Sequence, residues 1–335
     1  MQCKIVYLQP RTSFRARLHS DTLWGQLCWG IQMVYDSKRL DDLLKAYEEG
    51  DLNNTFFISS AYPFRWHQGK RVCYFPEPLT PIPGTEKLSY EKDAMTFAEK
   101  KIKLREQKKA KKRNWQSREQ FEYHYAGGPA PGKAPKSPRE AIVPITHNTI
   151  DRLTGSTLQI NRQGQLYHTN EHYLLLEEDE NTGSGLFFLL AGRTEEVERA
   201  LYFLEHFGMG GDRSIGKGSY HIQIQDFEIQ EPKDWNAWVN LSLYRPLEAE
   251  VAKMEALSDR LLNYKIVDRQ GKGTVWQPNV KKRRLLFFEE GAVFPAKAFS
   301  DDQRFRGFNE IVAKHEMGFN IRHYGIGMML KVKIR

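Results

Sequence analysis

Apolar side chains alternate at Cys3, Ile5 and Tyr7, the period of a half-buried strand, and Pro10 closes the run. Beyond a polar loop over residues 11–20, Leu23, Trp24, Leu27, Cys28, Ile31, Val34 and Tyr35 recur at helical spacing, with Ser20 or Asp21 placed to cap the start by accepting a free backbone N–H. Leu40, Leu43, Leu44 and Tyr47 predict a shorter helix that stops at Gly50. Residues 55–62 and 72–75 read as strands. From about residue 84 to 140 the pattern lapses: the stretch is lysine-rich and helix-like up to Tyr125, and then seven of the thirteen residues 127–139 are Gly or Pro, which predicts a mobile, basic insertion.

Patterning returns with Ile142 to Ile145 and a hairpin whose arms flank residues 161–164. Leu186 to Leu190 is a buried-strand run. A helix comes next, opened by Thr194 with Glu195 and Glu196 in its first turn, turning Val197, Leu201, Leu204 and Phe207 inward and ending at Gly208. A strand over residues 220–229 completes the unit. Without the insertion, residues 1–230 read β-α-β-β-α-β, the ferredoxin-like order. Residues 231–335 hold a strand over 237–244, a helix opened by Pro246 with Leu247, Val251, Met254, Leu257 and Leu261, and a closing strand that sets Met328, Leu330, Val332 and Ile334 against Met329, Lys331, Lys333 and Arg335. A second, degenerate β-α-β domain is the economical expectation.

Composition narrows the class. Forty percent apolar residues, with 7 Trp, 15 Tyr and 19 Phe among 335, suffice for two packed domains and exclude wholesale disorder. The net charge of +8 is concentrated in Lys100, Lys101, Lys103, Arg105, Lys108, Lys109, Lys111, Lys112 and Arg113, and the rest of the chain is nearly neutral. Such a run attracts RNA by charge or forms a solvated helix face, and Trp115, Phe121, Tyr123 and Tyr125 just beyond it add stacking groups. Three scattered cysteines favour a reduced, cytoplasmic setting. Neither a membrane span nor a cationic leader is expected.

The densest candidate chemistry lies in residues 208–218, with Gly208, Gly210, Gly211, Gly216 and Gly218 interleaved with Arg213, Ser214 and Lys217. Residues 211–217 imitate a nucleotide phosphate loop, but Gly218 stands where Ser or Thr holds magnesium. The order is also helix-loop-strand instead of strand-loop-helix. What remains is an anion site: glycines let backbone N–H groups approach a phosphate, and the two cations add charge. A plain helix stop with a flexible connector is the alternative. His168 and His172 have the spacing of a metal pair but no third ligand near them, so exposed polar histidines are expected.

This glycine-rich segment, placed before the fourth strand of the unit, resembles the signature of the RAMP superfamily of CRISPR proteins (repeat-associated mysterious proteins). Three further motifs fall in the family's order: Ser20-Asp21-Thr22-Leu23-Trp24-Gly25-Gln26-Leu27-Cys28-Trp29, His147-Asn148-Thr149-Ile150-Asp151-Arg152-Leu153-Thr154-Gly155, and Gly325-Ile326-Gly327 before the last strand. Together they are most similar to the Cas5-like subunit of type III-A (Csm) effector complexes that holds the 5′ end of the CRISPR RNA. The resemblance covers nearly the whole chain, residues 84–140 excepted.

It implies an α+β protein of two ferredoxin-like (RRM-like) domains, 1–230 and 231–335, with the basic insertion and a thumb-like β-hairpin over 151–173. It implies a non-enzymatic subunit, without cofactor or metal, that anchors the repeat-derived 5′ handle and meets the large polymerase-nuclease subunit and the adjacent backbone subunit. The RNA-binding residues implied are His19, Ser20, Asn148, Asp151, Arg152, the loop residues Gly208, Gly210, Gly211, Arg213, Ser214, Gly216, Lys217 and Gly218, and Gly325 with Gly327. Ser20 and Asp21 could instead simply cap the helix, and Asn148, Asp151 and Arg152 could simply stabilise a turn. The rival functions are a metal-independent endoribonuclease of the same superfamily with His19 as general acid or base, an adaptor working through protein contacts alone, and the equivalent subunit of a type III-B complex.

Overall fold

The computed structural model describes residues 1–79, 115–132, 135–160, 163–175, 183–257, 259–275, 277–299, 303–314 and 320–334. In chain order the main elements are β1 (Gln2–Pro10), α1 (Ser20–Val34), α2 (Ser37–Glu49), β2 (Phe56–Ile58), β3 (Tyr62–His67), β4 (Lys70–Pro76), β5 (Trp115–Ser117), α3 (Arg118–Tyr125), β6 (Arg139–Asn148), β7 (Leu166–Leu175), β8 (Ser184–Gly192), α4 (Glu195–Phe207) and β9 (Tyr220–Glu228). The second half contributes β10 (Ala237–Asn240), α5 (Glu248–Glu255), β11 (Ile266–Arg269), β12 (Leu285–Phe288), β13 (Val293–Pro295), β14 (Phe305–Arg306), β15 (Glu310–Lys314), β16 (Asn320–His323) and β17 (Gly327–Val332).

The first sheet is antiparallel in the order β9-β1-β8-β3-β4-β5, with β2 also pairing β8. Its central strand buries Ile5 through Leu8 on both faces, because α1 and α4 lie over one side and α3 lies over the other. α1 and α4 pack closely where both sequences are small: a Cβ at Gly30 would stand 3.0 Å from that of Ala200. The strand expected over 55–62 breaks at Ser59-Ser60-Ala61, where the Ser60 N–H leaves the sheet to reach Leu241 O (2.9 Å). The chain resumes as β3, an aromatic strand that alternation does not betray, and turns into β4 through Gln68 and Gly69, both at positive φ.

The second half of the expected insertion is not an excursion. Trp115–Ser117 pairs with β4 and extends the sheet edge. Ser117 caps α3, accepting from the Gln120 N–H while the Gln120 side chain bonds back to the Ser117 N–H. Phe121 is buried against Phe75 (5.7 Å between ring centres), which anchors the helix. The cationic run over 100–113, with its expected mobility, lies outside the described residues.

The thumb-like hairpin begins earlier than expected. β6 and β7 pair over ten residues, Arg139↔Leu175 to Asn148↔Leu166, and form a ribbon beneath a small terminal hairpin. At its root, Phe14 and His172 exchange backbone hydrogen bonds (3.2 and 2.8 Å) and their rings stack. The apolar Leu153 at the other end is 97% exposed.

The second half is built on the sheet β13-β10-β17-β14. The helix opened by Pro246 is shorter than expected, Glu248–Glu255, and the strand expected over 237–244 ends at Asn240. On β17, Met328, Leu330 and Val332 join the same core as Ile5, Leu23 and Phe187. The other face is not simply basic, for Met329 is also buried and the Lys331 ammonium lies over the Trp235 and Trp238 rings. Phe57 and Phe305 stack at 3.9 Å across the two halves. No helix among the described residues is long and apolar enough to cross a membrane.

Neither Ser20 nor Asp21 caps α1. His19 holds the cap position, and the next two residues tie the halves together. Ser20 Oγ accepts from the Leu243 N–H (3.0 Å). Asp21 receives Arg269 on both oxygens (2.9 and 3.1 Å) and His323 Nε2 at 2.9 Å. Burial opposes its charge, yet the hydrogen bond from His323 and the charge of Arg269 hold the carboxyl far below the usual range. Replacing Asp21 with Asn strands a cation and a buried imidazole, so a loss of about 3 kcal/mol or more is expected, read as a lower urea midpoint. An unchanged midpoint would show that the pairing does not bear on stability.

Candidate nucleic-acid interface

Gly208 ends α4 at φ 77°, and the loop beyond it is closed by two backbone contacts. The Met209 N–H donates to Gly218 O, and the Gly218 N–H donates to Ser13 O, both at 2.8 Å. Any side chain at Gly218 would collide with Met209 O, 2.0 Å from an ideal Cβ, so this glycine is required by packing. Within the loop, the Ile215 and Lys217 N–H groups turn back on Asp212 O and the Gly216 N–H on Arg213 O. Asp212 itself is left-handed, φ 60°. The consecutive N–H groups of Gly210, Gly211, Asp212, Arg213 and Ser214 have no acceptor among the described residues. A left-handed turn with such a run of amides is the kind of backbone that can take up an anion.

The loop's cations divide into two kinds. Lys217 Nζ sits 2.9 Å from the Glu171 carboxylate on β7, which also accepts from Ser13 Oγ (2.8 Å) and Tyr173 OH (2.7 Å). The hydrogen bond from Lys217, then those from Tyr173 and Ser13, bring the Glu171 carboxyl down to about 2. Arg15 pairs with Asp212 at 2.8 Å. These two pairs fix the loop against the ribbon and the 11–19 segment, and their charges are internally balanced. Arg213 has no carboxylate partner among the described residues. Its guanidinium lies 3.9 Å over the Trp29 ring, with Nη1 3.2 Å from Gln26 Oε1.

The other expected residues scatter. Ser20 is fully buried and taken up by Leu243, so it has no surface to offer an RNA. Gly325 and Gly327 are buried too: a Cβ at Gly325 would stand 2.6 Å from both Arg245 Cβ and Phe308 O, and one at Gly327 would press on the Tyr244 ring. Their glycines serve the packing of β17. Asn148, Asp151 and Arg152 lie at the far end of the ribbon. Asn148 Nδ2 donates to Thr157 Oγ1 (2.6 Å) and Asp151 Oδ1 accepts from the Leu153 N–H (2.9 Å), both turn-forming bonds. Arg152 is exposed, with no ion-pair partner among the described residues. His168 and His172 face Thr146 and Glu140 separately. The loop therefore meets the ribbon at its root, through Glu171 and Lys217, and not at its tip.

His19 is partly exposed, and its Nδ1 lies 2.7 Å from the buried Glu290 Oε1, a partner sequence reasoning missed because 271 positions separate the two. Glu171, Trp29 and Gln26 were missed as well. Glu171 lies in the polar run 168–172 of its strand, and Gln26 and Trp29 stood only as part of the first-helix motif, with no role assigned to either.

No family model matches the chain. It is 23% identical over 292 residues to the CRISPR system Cms protein Csm4 of Thermococcus onnurineus (strain NA1), covering 86% of this chain and 85% of that one. Among solved structures, it superposes on a chain of the Csm1-Csm4 cassette in complex with cA4 with a TM-score of 0.60 at 18% identity, over 100% and 99% of the two chains. A chain of the Csm3-Csm4 subcomplex of the type III-A CRISPR-Cas interference complex gives 0.52 at 15% identity, over 98% of each. The similarity to RAMP proteins of the Csm kind, first carried by four motifs, thus extends to a homologous sequence and to the fold end to end.

Burial works against ionisation of Glu290, but the hydrogen bond from His19 and the charges of His19 and Arg17 outweigh it and bring the carboxyl down to about 2. An unfolded glutamate titrates at about 4.3, so the stabilisation linked to ionisation of this carboxyl, on the order of 3 kcal/mol from all its surroundings together, is present above that pH and is lost as pH falls toward 2. Glu290→Gln should lower the melting temperature at pH 7, and the gap to the parent should narrow below about pH 4. A gap constant from pH 7 to 3 would mean that the carboxylate contributes no charge to folding.

Proposed function

We propose that this chain is a non-catalytic RNA-binding subunit of a type III-A CRISPR effector complex, which anchors the 5′ handle of the CRISPR RNA and joins it to the large polymerase-nuclease subunit. The observation that carries the RNA-binding part is the loop at residues 210–214: five amides without an acceptor and a guanidinium without a carboxylate, among the described residues, suit a phosphodiester backbone. Support for the assembly comes from the solved relatives, which were captured as Csm1-Csm4 and Csm3-Csm4 pairs. On this reading the chain binds a large subunit and a neighbouring backbone subunit in the cytoplasm. The first sheet is the ferredoxin-like unit, supported by its antiparallel order with the fourth, first, third and second strands of the β-α-β-β-α-β pattern side by side. The equivalent role in a type III-B complex is the nearest neighbour of this reading.

One observation favours a second reading. An imidazole oriented by a buried carboxylate, as in His19 with Glu290, has the form of an acid-base pair, which a metal-independent ribonuclease needs. Against it, the pair ties the head of α1 to the turn after β12. The described residues supply no nucleophile-activating partner beyond it.

Co-purification from cells carrying a matching CRISPR array should recover RNAs sharing a repeat-derived 5′ tag, and random fragments would count against the anchor. Gly211→Val sets a branched side chain beside the free amides, where the nearest neighbour is the Arg15 stem at 3.4 Å. It should weaken handle binding about tenfold or more in a filter assay while the melting temperature holds. With repeat-containing RNA in EDTA the parent should give no discrete product. A site-specific cut lost in His19→Ala, with affinity retained, would replace the anchor by the nuclease.

A further inference from the structure

The α1/α4 pair carries an aromatic group in which Trp29 and Phe203 pack against the core and Phe207 does not. Phe203 and Phe207 stack at 4.3 Å, and Trp29 meets them at 5.3 and 6.1 Å. Phe207, the last residue before the glycine-rich loop, is 55% exposed although it makes these contacts, so much of its ring faces solvent. Arg213 closes the group on the loop side by lying over Trp29, and Ile215, two residues on, is 65% exposed. Phe207 leads directly into the loop in which the 210–214 amides and the Arg213 guanidinium have no acceptor or carboxylate partner among the described residues, so an exposed ring and unpaired polar groups adjoin along the chain.

We propose that this surface is a base-stacking platform: a single unpaired nucleobase of the bound RNA lies on Phe207, while the phosphate next to it sits against the free amides of residues 210–214 and the Arg213 guanidinium. The proposal rests on the RNA-anchoring function and adds where one base is held. A protein partner would need an apolar and an acidic side chain from two residues set at matching positions. A nucleotide satisfies both parts at once, because stacking accepts any base and the backbone supplies the phosphate.

The test uses the full chain and a synthetic oligoribonucleotide carrying the repeat-derived handle, together with versions abasic at one position each. Phe207→Leu keeps an apolar side chain but removes the ring, and should weaken binding about tenfold; Phe207→Tyr should stay within about twofold of the parent. One abasic position should cost the parent the same factor and cost Phe207→Leu nothing further, since the two changes delete one contact. Equal binding by Phe207→Leu and the parent, or abasic losses that simply add to that of the variant at every position, overturns the platform and leaves the anchor standing. A parent that binds no handle RNA overturns both. Intact RNA binding with loss of a co-purifying large subunit reassigns the surface to protein docking.

Discussion

Asp21 is buried in the first turn of α1, and its carboxylate is held by two residues brought from β11 and β16, the Arg269 guanidinium and the His323 ring. Desolvating such a group costs several kcal/mol, which only well-placed partners offset. Ser20 and His19 before it add a bond to Leu243 and one to Glu290. Three consecutive residues therefore face the second half of the chain, and the direction of α1 is fixed there. A hydrophobic contact slides at little cost; a buried ion pair with bidentate geometry does not. Elements packed on α1 inherit that direction, including α4, seated through Gly30 and Ala200, and the loop that leaves α4.

This constraint decides where an anion can bind. The head of α1 looks like a phosphate site in the sequence, since a helix start preceded by Ser and His offers free N–H groups. In the fold it is closed by the second half, and Asp21 places a carboxylate there. The free amides lie instead in the glycine-rich loop, which is held by its own ion pairs. Lys217 with Glu171 and Arg15 with Asp212 neutralise one another, so their contribution is shape. Arg213 alone keeps its charge for a ligand, because its neighbours are an indole and an amide.

The sequence was most legible where a segment satisfies one period. β1, α2, α4 and β17 lie within a few residues of expectation, because each has an apolar repeat and most have a stop such as Pro10, Gly50 or Gly208. β3 escaped: Tyr62 to Phe64 are buried without alternation, in a strand covered on both faces. The helix ending at Tyr125 was expected, but its docking and the strand before it were hidden by lysine-rich neighbours, though Ser117 and Gln120 spell a capping box and Phe121 marks the buried side. Among the site residues the glycines were visible as a class, but not their division of labour. Gly218 answers a contact across its own loop, from Met209 O, while Gly325 and Gly327 answer Arg245 and Tyr244, far away in the chain, which spacing does not encode. The partners Glu171 and Glu290 are likewise set by topology alone.

The ribbon β6–β7 shows how the same topology supports an element with no core of its own. Two strands in water are marginal, and this pair leaves Ile142, Val143, Leu166 and Tyr167 exposed. Its order comes from the root, where Phe14 stacks on His172 and Glu171 gathers Ser13, Tyr173 and Lys217. The loop and the ribbon thus share one carboxylate. Whatever displaces Lys217 from Glu171, such as a phosphate competing for the ammonium, loosens the loop and the ribbon root together.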